Sequence, residues 1–417
     1  MSRGLLRNIV VLVAGSALAQ AIALAFSPLV ARLYTPADYA NLTIFLALSG
    51  MFIPFACGKY EVAIVVAGTD RHASELTALS LIVALAGSML LLVVALMAQG
   101  WIAMLLHCEN LGLWLMAVPL GVLFGTIAMV VRYVANRQSA YRVISQYLVM
   151  QAVLSVAFNV LFGLLQWGSN GLLAANLIAI GSGTAWLAWK LRESLARATQ
   201  VNISSLCHVA HKYRDFPIFN ASSTILDALT LAMPVFFIAR IAGQESLGLY
   251  GFMMRVAQAP FALVAGAVSQ VHIKQLSDLV AAGQPASAYL RRITIVLAVI
   301  AAVPSMIFML FGPQLFSVVF GQHWRQAGEM LVIMTPSIAV QFVVSTLSPA
   351  LAATGHNRLG AAWKLGAFLV TFAVFASMPS ESRSDGVLVA LSMTNVVLYV
   401  LYYFCIWYAV RSRGGAA

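Results

Sequence analysis

Four ionisable side chains, Lys59, Glu61, Asp227 and Arg255, fall inside long apolar runs. Charge in hydrocarbon is costly, so such groups face one another, water or a polar ligand. Cations placed this way can hold an anionic group. Buried carboxylates can pair with them or exchange a proton. Lys59 and Glu61 are two residues apart, and on one continuous helix they would not face each other; each is expected to border a polar cavity through a different partner. Asp227 and Arg255 could pair and hold two helices together. Metal and nucleotide chemistry lack this support. Cys57, Cys108, Cys207 and Cys405 are far apart, with no CxxC or Cys/His metal spacing. His208, His211 and His272 show none either, and no GxxxxGK[ST] motif is present. No cofactor and no disulfide framework are expected, and the chain reads as a non-enzyme.

The elements carrying these residues follow from composition. The chain has 417 residues, 62% hydrophobic and 9% charged, where a soluble domain carries roughly a quarter charged. Apolar runs of 18 residues or more, long enough to span a bilayer, recur to the end of the sequence. Lipid leaves no partner for unpaired backbone groups, so runs of this length must be helices. Twelve spans fit, at approximately 9–31, 41–67, 76–98, 112–131, 147–166, 171–189, 216–239, 247–271, 293–311, 328–352, 361–378 and 386–409. The first reads as a true span rather than a cleaved leader, because its apolar run continues to Ala31.

With the N-terminus placed inside, most of the 24 Lys and Arg fall on the cytoplasmic side. Only Arg32, Arg240, Arg325 and Arg383 fall opposite. This positive-inside bias supports an even span number with both termini cytoplasmic. It also accounts for the formal charge of +11, so nucleic acid is not an expected partner; anionic membrane lipid is.

The most polar stretch divides the chain into residues 1–195, a linker 196–215 and residues 216–417, with six spans on either side. Arg32 and Arg240 close the first span of each half, half a chain length apart, which suggests a weak duplication in parallel orientation. Each is also a cation at a helix C-terminus, where the dipole favours it, and Asp38 and Glu245 are nearby acids. Lys212 and Arg214 stand at the cytoplasmic mouth of span seven.

Several motifs then resemble one family. The run His211-Lys212-Tyr213-Arg214-Asp215-Phe216-Pro217 resembles the entrance to span seven of bacterial polysaccharide flippases of the O-antigen translocase type. ARLYTPADY at 31–39 is similar to that family's close of span one, with Ala40 in place of the usual Gly. Gly248 and Tyr250, followed by Arg255 and Pro260, resemble its opening of span eight. Phe320-Gly321, Trp324, Ala327-Gly328 and Thr354-Gly355 with Arg358 resemble the elements around span ten. The resemblance covers essentially the whole chain.

It implies an all-α membrane protein of the multidrug/oligosaccharidyl-lipid/polysaccharide exporter superfamily, with twelve transmembrane helices in two six-helix lobes forming a V. It further implies that undecaprenyl-diphosphate-linked oligosaccharide units are flipped from the cytoplasmic to the periplasmic leaflet of the bacterial inner membrane. Arg255 then becomes the first candidate for the diphosphate, with Lys59, Glu61 and Asp227 in the cavity. Arg32 and Arg240 are candidates at the periplasmic ends, and Lys212 and Arg214 at the cytoplasmic entrance. Coupling to protons or sodium stays open, with Asp227 one carboxylate for it. Expected partners are the lipid-linked oligosaccharide, membrane lipid, a polysaccharide polymerase and a chain-length regulator, with a monomer as the working unit. Two alternatives remain: an ion-coupled small-molecule exporter of the same superfamily, and a membrane O-antigen polymerase, which would need a large periplasmic loop that this sequence lacks.

Overall fold

The computed structural model describes residues 3–54, 56–105, 112–199, 201–281, 284, 286–379 and 384–414. These residues are helical almost throughout, with no strand among them. In chain order the helices are α1 (Arg3–Leu33), α2 (Pro36–Phe52), α3 (Tyr60–Val66), α4 (Asp70–Leu105) and α5 (Gly112–Arg137). Next come α6 (Tyr141–Leu164), α7 (Gly168–Lys190), α8 (Arg192–Thr199), α9 (Ile203–Lys212) and α10 (Ala221–Ala281). The chain ends in α11 (Ser287–Phe320), α12 (Arg325–Leu347), α13 (Ala350–Ala353), α14 (Asn357–Ala376) and α15 (Ser384–Gly414). A π-helical turn, Phe216–Asn220, precedes α10.

Ten helices among the described residues are long and apolar enough to cross a membrane. Twelve uninterrupted spans were expected, and the difference arises at two places. The second span is broken. α2 ends at Phe52, although Ile53 keeps helical angles (φ −49°, ψ −45°) and the Ala56 N–H still reaches the Phe52 carbonyl at 3.0 Å; Pro54 has no N–H to add to the ladder. The chain restarts only at Tyr60, after Gly58 and Lys59 with φ of 63° and 62°. Spans seven and eight, by contrast, join in α10, whose helix is interrupted only at Gly243 (φ 81°, ψ 175°). Counting α2–α3 as one interrupted crossing and the two arms of α10 separately returns the twelve.

Large apolar side chains point outward. Leu90 and Met97 on α4, and Val303 and Leu310 on α11, are exposed. On a soluble surface such continuous apolar faces would drive association; here they are the lipid-facing walls of a multi-pass membrane protein.

Contacts divide the chain into two compact units, residues 1–240 and 241–417. In the first, α1 packs on α6, α6 on α7, and α5 on α4, α7, α2 and α3. α5 is the most enclosed span of this unit and α1 the least. In the second, α12 packs between α11 and α15, and α14 lies on α15. The expected linker 196–215 lies inside the first unit. It is no free tether: α8 and α9 pack on α4, and the π-turn packs on α3.

Several family-like motifs are explained by this packing. Thr35 and Asp38 of ARLYTPADY cap α2: the Asp38 carboxylate accepts from the Thr35 N–H at 2.9 Å, and the Asp38 N–H donates to Thr35 Oγ1 at 3.4 Å. Pro36 takes the first helical position, where its missing N–H costs nothing. Trp324 is fully buried against Phe252, ring centres 4.1 Å apart. Gly328 lets α12 approach the backbone of Gly312 and Pro313 on α11 more closely than any side chain would permit.

Candidate functional site

The break in span two creates the site. Lys59 sits in the left-handed region just before α3, a conformation that costs a residue with a Cβ about 1–2 kcal/mol. This turn folds the Lys59 side chain back over the first turn of α3. Its Nζ lies 3.8 Å from Glu61 Oε1. The expectation that these two residues do not face each other is therefore corrected: it assumed one continuous helix, whereas Lys59 precedes α3 in a left-handed conformation.

Glu61 is completely buried, while the Lys59 side chain keeps 14% exposure. The Cys57 thiol donates to Glu61 Oε2 at 2.8 Å. Glu61 Oε1 has no hydrogen bond among the described residues. Around them lies an apolar cluster of Ala63, Ile64, Ala67, Leu76, Val130 and Val134, flanked by Tyr60 and Tyr133. A carboxylate so enclosed is held by one thiol donor, one distant ammonium and the N-terminal end of a short helix. It has spare acceptor capacity for a proton, a cation or a donor group. The thiol is not placed as a nucleophile, because its proton is committed to the carboxylate.

Arg137, the last residue of α5, clamps the other end of α3. Its Nη1 donates to the carbonyl oxygens of Ile64 at 3.0 Å and Ala67 at 2.7 Å. Its Nη2 pairs with Asp70 Oδ1 at 3.0 Å. Orphan carbonyls at a helix end need such donors, and a guanidinium can reach several at once. In the sequence Arg137 is one more positive-inside residue; no local signal marks its role, since its partners lie about seventy positions away.

The other candidates are dispersed. Asp227 is half-buried on the first arm of α10 in the first unit. Arg255 is exposed on the second arm, in the second unit. Among the described residues no carboxylate of its own unit forms an ion pair with it. Arg32 and Arg240 are exposed at the ends of α1 and of the first arm of α10. Arg214 is exposed, and Lys212 Nζ lies 3.5 Å from His72 Nδ1. The structure thus brings Lys59 and Glu61 together and adds Cys57 and Arg137 to them. No group of His, Cys, Asp and Glu among the described residues could hold a metal ion.

The family model described as "Polysaccharide biosynthesis protein" matches residues 29–329. The chain belongs to that family. No curated protein sequence matches at a significant level. Among solved structures, the family member is similar to an inward-facing multidrug resistance MATE family transporter of the MOP superfamily. The TM-score is 0.74 at 14% identity, over 97% of this chain and 96% of that one. It is also similar to the lipid II flippase MurJ in its inward closed conformation, with a TM-score of 0.69 at 12% identity over 95% and 87% of the two chains. A third likeness is to the MATE multidrug transporter DinF-BH, with a TM-score of 0.68 at 14% identity over 99% and 97%. This polysaccharide biosynthesis protein therefore shares the fold of these solved proteins. At these identities the likeness is one of fold and does not choose a substrate.

Proposed function

We propose that the protein flips undecaprenyl-diphosphate-linked oligosaccharide units from the cytoplasmic to the periplasmic leaflet of a bacterial inner membrane, with both termini cytoplasmic. Membership of a polysaccharide biosynthesis family carries this reading. The placement of charge agrees with it. Arg255 presents an exposed guanidinium within an apolar helical stretch, and a diphosphate crossing the membrane needs such a charge-assisted donor. Lys59, partly exposed beside Glu61, is a second cation within reach of an anionic head group. Asp227, half-buried on the first arm of α10, is a carboxylate for ion coupling. Arg32, Arg240, Lys212 and Arg214 would serve at the two ends of the path. A polymerase and a chain-length regulator would act on the delivered units, and the flipping unit would be a monomer.

The test is leaflet accessibility. In cells without redundant flippases, deletion should leave lipid-linked units in the inner leaflet, out of reach of a glycosidase added to the periplasmic face. Arg255→Ala should lower the flipping rate about ten-fold or more, the cost of losing one strong charge-assisted contact, at normal membrane abundance. Units reaching the periplasmic face at the normal rate in the deletion strain would defeat the proposal. Drug susceptibility arising instead would favour the small-molecule exporter.

A further inference from the structure

The segment joining the two halves of the sequence enters the apolar cluster that walls the Glu61 site. Val209 of α9 is fully buried there with Cys57, Ala63 and Ile64, and Tyr213 and Phe216 pack against them. Polar contacts add direction. The hydroxyl of Tyr60, which sits between Lys59 and Glu61 in the chain, donates to the Ala210 carbonyl at 3.4 Å. The His72 and Tyr213 rings meet edge to face at 6.2 Å. Upstream, the connector packs on α4 through α8 and α9. Between its start and α4 lies a cavity of about 370 Å³ lined by Arg71, Glu75, Arg197, Asn202 and Ser205. Beside the Glu61 site the connector is held through Val209, Tyr213 and Phe216 in that cluster and through the packing of the π-turn on α3.

α3 has only seven residues. The left-handed pair Gly58 and Lys59 begins it and Arg137 grips its far end. We propose that the segment from α9 through the π-turn is a strap latched to α3, so that rearrangement of the Cys57–Lys59–Glu61 site and release of the strap are one event. The physical reason is shared burial. Val209 is part of the buried cluster that holds Cys57 and Ile64, so its departure opens that cluster, and α3 cannot tilt about Gly58 and Lys59 without disturbing the Tyr60–Ala210 contact and the π-turn packed on it. The strap runs directly into α10, so the latch carries the state of the Glu61 site to the start of the helix that bears Asp227. The inference goes beyond the transport reading and does not depend on the cargo.

Thiol accessibility in membranes tests it. In the full chain carrying C108S, C207S and C405S, Cys57 is the sole thiol, and its burial makes alkylation by N-ethylmaleimide slow. Val209→Ala and Tyr213→Ala loosen the strap away from the charged groups and should speed alkylation of Cys57 about ten-fold, as expected when a local opening becomes easier. Val209→Ile should leave the rate near that of the parent. A companion chain retaining only Cys405, in the second unit, should react at an unchanged rate in every variant. In the reverse direction, with V209C as the sole thiol, Glu61→Gln should change the alkylation rate at that position several-fold. Unchanged Cys57 reactivity in the loosened variants, or a rise shared by Cys405, would overturn the proposal. Transport is not measured, so a failed flipping assay and a failed latch are separate results.

Discussion

Lys59 Nζ and Glu61 Oε1 lie 3.8 Å apart across the left-handed entry to α3. The contact exists because α2 stops before Pro54 and the chain turns through two left-handed residues before α3. Placed on a straight helix, the same two side chains would diverge by most of a half-turn. One local break therefore converts two separate charges into a unit with the Cys57 thiol.

A buried pair is costly to halve and cheap to neutralise whole. Lys59→Met should destabilise the protein by about 3 kcal/mol, since it leaves the Glu61 carboxylate without a cation. Lys59→Met combined with Glu61→Gln should recover most of that loss. Thermal unfolding of the four proteins of this cycle in detergent is the measurement, and equal losses in the single and double variants would show that the pair does not act as a unit.

Arg137 should matter through carbonyl oxygens more than through its ion pair. Asp70 is 85% exposed, so that pair is screened by water. Arg137→Ala should cost about 2 kcal/mol, the scale of a lost charged hydrogen-bonding group, whereas Asp70→Asn should cost less than about 0.5 kcal/mol. Arg137→Lys should rescue only in part, because a single ammonium would have to serve both carbonyls and Asp70, which the guanidinium reaches through two nitrogens. Melting temperatures under one detergent condition decide the order.

Gly328 should tolerate no side chain. A Cβ there would run into the backbone of Gly312 and Pro313, which cannot move as a flexible side chain could. Gly328→Ala should destabilise by about 1–3 kcal/mol through overpacking. At Gly366, where a Cβ would meet nothing within 4 Å, the same change should be neutral or should stabilise by up to about 1 kcal/mol, since Ala favours a helix interior. Comparing the two melting temperatures checks this.

His272 should make stability depend on pH. It lies beyond the span that ends at Gly266 and is fully buried, stacked on Tyr289 at 5.6 Å. Burial lowers its pKa below the ordinary histidine range, with a smaller opposing pull from the Leu347 backbone. The unfolded chain then binds the proton more readily than the folded one. Stability contributed by neutral His272 is present above about pH 6.5 and declines as pH falls through that unfolded value. His272→Phe should keep the stacking and flatten the fall in melting temperature between about pH 7.5 and 5.5. An equally steep fall in that variant would assign it to other groups.

Much of the protein is legible in its sequence because lipid makes the constraint local. Each span must satisfy its own backbone, so run length alone specifies helices. The motifs that resemble polysaccharide flippases were also readable, yet the structure gives several of them structural work. Thr35 and Asp38 cap a helix, Trp324 fills a core, and Gly328 permits a close crossing. What the sequence did not disclose lies where distant segments meet. Pro54 and Gly58 hint at a broken second span, but a hint of a break does not say which side chains it brings together. Arg137 reaches carbonyl oxygens from another helix, and Val209, in the most polar stretch of the chain, is buried in one cluster with Cys57. Composition and periodicity determine which segments are helical and where they run. Tertiary packing alone decides that Lys59, Glu61 and Cys57 share one site, because that meeting depends on a non-helical turn and on neighbours that no local pattern encodes.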